Sequence, residues 1–292
     1  MTPRLKAVLL PLGRMVLAVL LVGGAVAVMQ VLVKMLKSVL SLGGAVTAIY
    51  YLAYLIASVL VAYLVYRAYV RLVEKRTVTE LSGAGAPGEL GIGMLVGLGL
   101  VTVIVGLLWL LGDYHINGFG VWTAIFVVLA NDGAGAFVEE VLLRGIVFRI
   151  SEEQLGTWIA IGISVLIFSL LHLTSANATA MSVIAVGIEG GVLLSAAYVL
   201  TRRLWLAIGI HFAWDFAQDY VFGLGHHVNG LVHGQLTGPA LLSGGSAGIE
   251  GSILALILCL LASVYLLVRA GRKGNFMSPS RGRGGEKAGV AS

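Results

Sequence analysis

Three short segments of this 292-residue chain carry side chains able to do chemistry inside otherwise apolar surroundings. The first reads Glu139-Glu140-Val141-Leu142-Leu143-Arg144. On a helix Glu140 and Arg144 stand four residues apart on one face, where each neutralises the other. Glu139 lies about 100° around the same helix, with Leu143 at i+4, and has no local partner. The second segment runs from Phe168 to His172, and the third from His211 to Asp215. His211 and Asp215 share a helical face, so the carboxylate can orient the imidazole. Each segment also has a purely structural reading. The charged trio can lock neighbouring helices, His172 can be a satisfied interface histidine, and the His211–Asp215 pair can bond between helices.

The elements that must hold these groups are membrane spans. Apolar side chains make up 59% of the chain and charged ones 11%, with a mean hydropathy of +0.98. Soluble domains carry about 25% charge. Ser38 to Tyr66 and Leu90 to Gly112 contain no charged residue, and each is long enough to cross a hydrocarbon core of ~30 Å as a helix. Lipid offers no partner for backbone groups, so these segments must be helical. The expected fold is an all-α, polytopic transmembrane bundle with spans near 15–33, 41–66, 90–112, 121–148, 157–174, 180–200, 204–222 and 249–268. Both termini are expected to be cytoplasmic. In that arrangement all Lys and Arg except Lys34, Lys37 and the in-span Arg144 fall on the inner side, as the positive-inside bias requires.

Four regions follow: three N-terminal spans over 1–120, a core over 121–222 that holds all three motifs, an outer loop with the last span over 223–270, and a disordered basic tail over 271–292. The 40 glycines include Gly93-x-x-x-Gly97 and Gly187-x-x-x-Gly191, spacings that let helices approach closely in lipid. Cys259 is the single cysteine, so no internal disulfide forms. His226, His227 and His233 sit in the glycine-rich outer loop without an accompanying carboxylate or cysteine, and read as a solvated loop.

Taken together, the motifs resemble those of the CPBP family of intramembrane proteases, which includes type II CAAX prenyl endopeptidases and bacteriocin-processing relatives. The family patterns EExxxR, FxxxH and HxxxN or HxxxD match Glu139-Glu140-x-x-x-Arg144, Phe168-x-x-x-His172 and His211-x-x-x-Asp215, in order and on separate spans. The resemblance covers about 120 to 222. It implies an endopeptidase in which Glu139 acts as general base on a water, assisted by His172. His211 and its neighbour at 215 would stabilise the oxyanion, and Glu140 and Arg144 would be structural. Asp215 stands where the commoner family pattern has asparagine. An ionised aspartate cannot donate to an oxyanion, so Asp215 holds His211 as an imidazolium, stays protonated, or ligates a metal.

The resemblance implies no required cofactor on the favoured reading, because no HExxH pair is present. A divalent metal such as zinc remains the alternative, with Glu139, His172 and His211 as three ligands from three helices. Those three groups are expected to converge. The difficulty is His172, which lies ~28 Å along an unbroken helix from Glu153. Convergence then requires residues near 152–160 to lie along the inner interface before the span turns into the membrane.

The expected partners are the lipid bilayer and a membrane-associated protein or peptide, either a CAAX-type prenylated protein or a leader peptide. No nucleic acid is expected, and the expected location is the cell membrane. Buried Glu, Arg, His and Asp also occur in proton-coupled transporters, and a non-catalytic scaffold or immunity protein would share the fold. Clustering of the charges in three motifs disfavours a transporter. Retention of both glutamates and both histidines disfavours a scaffold.

Overall fold

The computed structural model describes residues 3–39, 43–173, 177–225 and 230–279. Helix α1 (Pro3–Val39) is followed by α2 (Ala45–Tyr69), which ends in a π-helical turn over Val70–Glu74, and by α3 (Ala86–Leu111). A strand, β1 (Tyr114–Phe119), leads to α4 (Ile125–Glu140). The α4 helix continues through π-helical Val141–Phe148 into α5 (Arg149–Leu155), and α6 (Thr157–His172) follows. Helices α7 (Ala180–Val186) and α8 (Ser195–Thr201) flank π-helical Gly187–Leu194. Next come α9 (Trp205–Phe216) with π-helical Ala217–Val221, strand β2 (Val232–Leu236), the short α10 (Ala240–Ser243) and α11 (Ile253–Arg272).

The bundle is all-α in its transmembrane part, as the apolar runs predict. Five stretches are long and apolar enough to cross a membrane: Leu9–Ser38, Ala45–Glu74, Ala86–Leu111, Ala180–Thr201 and Gly245–Arg272. Thr157–His172 is apolar but shorter. The α4–α5 and α9 stretches, which carry most of the motif charges, coincide with the remaining segments read as spans. Leu20, Leu95 and Leu110 are among the large apolar side chains left exposed on α1 and α3, the surface that lipid would cover.

Both small-residue motifs lie where helices touch. A Cβ at Gly93 or Gly97 would run into the α9 backbone at Leu206 and Ile210. A Cβ at Gly187 or Gly191 would run into α6 at Ser169 and Val165. These contacts draw α3 onto α9 and the α7–α8 helix onto α6.

One end of the bundle is closed by ion pairs. Glu74 accepts from Arg14, Arg76 and Arg149 at 2.7 Å each. Glu80 accepts from Arg76 at 2.7 Å and from the Tyr66 hydroxyl. Glu152 pairs with Arg202 at 2.6 Å, and Glu89 with Arg203 at 2.5 Å. The other end carries an antiparallel pairing of β1 with β2, Tyr114 opposite Leu236.

Three expectations change. The 223–248 segment, read as a loop, contributes β2 and α10. Residues 273–279, read as the start of a disordered tail, pack against the bundle: Asn275 donates to the Val199 and Leu200 carbonyls, and the Met277 amide donates to Thr157 Oγ1. The helix expected to end at 148 runs on to Leu155, and α6 begins two residues later at Thr157. Gly156, at φ 82 and ψ 165, reverses the chain directly into α6, in a left-handed region that suits glycine. His226, His227 and residues 280–292 of the tail lie outside the described residues.

Candidate active site

The reversal at Gly156 resolves the depth of His172. Glu139 lies nearly as many residues before Gly156 as His172 lies after it, and both groups line the same cavity. Glu139, His172, His211 and Asp215 border one cavity of about 160 Å³, together with Glu189 and Glu250.

Arg144 anchors the wall behind this cavity. Its side chain and that of Glu140 are both fully buried, with Nη1 donating to Glu140 Oε1 at 2.7 Å. Nη2 donates to the Gly190 carbonyl. The guanidinium carbon sits 4.7 Å from the centre of the Phe168 ring, a cation–π contact. Phe168 also stacks on His172, with ring centres 5.5 Å apart and planes at 11°, and meets the His211 ring edge-on at 6.4 Å. The phenylalanine of the second motif is thus a plate between the guanidinium and the two imidazoles. Gly190 makes room for it, since a Cβ there would overlap the Phe168 ring.

The imidazoles are held differently. His172 Nδ1 lies 2.9 Å from the Phe168 carbonyl. A carbonyl only accepts, so Nδ1 carries the hydrogen, and Nε2 of the neutral ring is an acceptor. His211 Nδ1 lies 3.0 Å from Glu140 Oε1 and donates to it. Its Nε2 lies 3.4 Å from Asp215 Oδ2 and 3.9 Å from Glu139 Oε2. The Glu139 side chain is half exposed, against 12% for His211, so Glu139 is the carboxylate most open to water and substrate.

Sequence reasoning treated Glu140 only as the partner of Arg144, yet the same oxygen also orients His211. It passed over Glu189, although an ionisable residue inside the 180–200 span is a functional candidate by default. Asp132, within the 121–148 span, was passed over as well. Glu250, at the start of the span read at 249–268, was passed over too. The π-helical stretches at 141–148 and 187–194 hold Arg144 and Gly190 and meet at this wall. Such irregular turns often mark functional positions. His233 is exposed on β2, away from the cavity-lining groups.

The three groups named as metal ligands, Glu139, His172 and His211, share the cavity. Among the described residues, however, no three His, Cys, Asp or Glu side chains are gathered as a metal ion requires.

A bundle with five helices long and apolar enough to cross a membrane is an integral membrane protein. The family model for type II CAAX prenyl endopeptidase Rce1-like proteins matches residues 119–217, from the last residue of β1 to the first residue beyond α9. That segment is similar to the family whose motifs it carries, a family described as CAAX prenyl endopeptidases. No curated protein and no solved structure gives a significant match to the chain.

Proposed function

We propose that the chain is an intramembrane endopeptidase of the cell membrane, with residues 121–222 as its catalytic core. Glu139 is the general base, and water attacks the peptide carbonyl in the shared cavity. The observation that carries this reading is the half-exposed Glu139 carboxylate 3.9 Å from His211 Nε2, beside a buried Glu140–Arg144 pair that fixes the wall. Nε2 of His172 assists by accepting a hydrogen bond from the same water, and the proton taken by Glu139 passes to the leaving amine. His211, held as an imidazolium between Glu140 at Nδ1 and Asp215 at Nε2, donates from Nε2 to the developing oxyanion. Asp215 holds that ring, which accounts for an aspartate at this position without asking it to donate. Water is activated by side chains alone, with no resident metal.

The substrate is a membrane-associated protein, either a CAAX-type prenylated protein or a leader peptide. The ion-paired end faces the cytoplasm, in keeping with its arginines. The test is cleavage of membrane substrates by purified protein in nanodiscs, together with substrate trapping by Glu139→Gln. The expected result is cleavage by the wild type and accumulation of uncut substrate on the variant. Wild-type turnover by purified Glu139→Gln would overturn the assignment.

A further inference from the structure

Glu189 is the buried group the mechanism leaves unused. It is 7% exposed, borders the same cavity as Glu139 and His211, and its Oε1 has no hydrogen-bond partner. Its position follows from its neighbours. Gly187, Gly190 and Gly191 press the π-helical stretch against Ser169, Phe168 and Val165 of α6, which leaves Glu189 for the cavity side.

Among the described residues, no Lys or Arg lines this cavity. Arg144 is fully buried, and its two terminal nitrogens are taken by Glu140 and the Gly190 carbonyl. Of the two histidines at the cavity, His211 is held by Glu140 and Asp215, and His172 is stacked on Phe168. The cavity therefore presents four carboxylates, those of Glu139, Glu189, Asp215 and Glu250, and no Lys or Arg. A buried carboxylate costs free energy unless it is paired, and this one lines the cavity that Glu139 lines.

We propose that Glu189 receives a basic side chain of the substrate, so that the enzyme prefers peptide segments with Lys or Arg beside the scissile bond. This rests on the proteolytic reading above and adds its substrate class. The bound cation supplies the partner that Oε1 lacks, and Glu250 extends the same field at the cavity mouth. An acidic residue at the same substrate position meets carboxylates on two sides and is rejected. Specificity arises from both the attraction and the repulsion.

The test uses the full chain in nanodiscs. Binding of fluorescent peptides is measured to Glu139→Gln protein, so that the readout does not depend on turnover. The peptides are identical except for one residue, Lys, Leu or Glu, walked through the positions flanking the cleavage site. At one position Lys should bind roughly 10-fold or more tighter than Leu, as a charge-assisted contact provides, with Glu the weakest. Adding Glu189→Gln should bring Lys down to Leu, while Glu189→Asp retains part of the preference. The Glu189→Gln protein should unfold at or above the parent temperature, because it loses an unpaired buried carboxylate. Equal binding of the three peptides overturns the proposal, as does a Lys preference that survives Glu189→Gln. If the wild type cuts none of the peptides while the Lys preference still depends on Glu189, the specificity site stands and the proteolytic reading fails.

Discussion

The ion-paired end and the central cavity hold similar side chains and treat them in opposite ways. At the end, Glu74, Glu80 and Glu152 are almost completely buried, and each faces at least one guanidinium. Around the cavity, Glu140 pairs with a guanidinium, Glu139 and Asp215 face His211, and Glu189 Oε1 has no hydrogen-bond partner. Paired charges with satisfied hydrogen bonds hold helices in register. Carboxylates without a cation are expensive in a membrane protein, and they persist where chemistry or recognition uses them. Burial alone does not separate the two kinds, since Glu80 and Glu189 are both buried. Partner count does.

The largest effect that would break this contrast is at Glu139. Glu139→Gln should lower turnover by about 10²–10⁴-fold, the usual contribution of a general base, with no loss of thermal stability because the side chain is half exposed. Glu140→Gln should do the reverse in kind. It strands the buried Arg144 at a cost of ~3–5 kcal/mol, visible as a lower unfolding temperature and lower folded abundance. It also releases His211 Nδ1, so the surviving folded fraction should turn over more slowly. A stable, fully active Glu140→Gln protein would erase the distinction between lock and site.

The acid stability of the paired end gives a smaller, sharper test. Burial opposes the charge on Glu80, but hydrogen bonds from Arg76 and Tyr66 outweigh it and lower its pKa from 4.5 to about 2. A carboxylate whose folded pKa lies below its unfolded value contributes stability above the unfolded value and loses it as pH falls. The contribution, on the order of 3 kcal/mol, should disappear between about pH 4.5 and pH 2. In denaturant titrations Glu80→Gln should be less stable than wild type at pH 7 and should lose less on acidification through that range. Parallel acid profiles for the two proteins would show that Glu80 is not part of the lock. The smallest perturbation concerns orientation. With Cys259 replaced, a cysteine at the exposed Lys75 position should react with membrane-impermeant maleimide only after cells are opened. Ready labelling of intact cells would put the paired end outside.

Much of this molecule is readable in order along the chain. The charge-free runs require helices, and the i, i+4 spacing of Glu140 with Arg144 and of His211 with Asp215 requires the pairs that form at 2.7 and 3.4 Å. Both glycine motifs face the helices they were expected to let approach. Less legible were the features that depend on two distant segments at once. The β1–β2 pairing is such a case, because a polar, glycine-rich segment has no apolar alternation to announce a strand. The packing of Asn275 and Met277 against α6 and α8 is another.

The sequence by itself determined the membrane class, the three motifs and the local pairs within single helices, because hydrophobic length and helical periodicity act over a few turns. Only the tertiary structure decided that Glu140 serves both Arg144 and His211, that Phe168 stands between the guanidinium and the imidazoles, and that Glu189 joins the cavity. Those relations are set by the reversal at Gly156 and by glycines that bring α6 against the π-helical stretch at 187–194. A change of one helical turn in either would leave every motif intact and separate the groups they contribute.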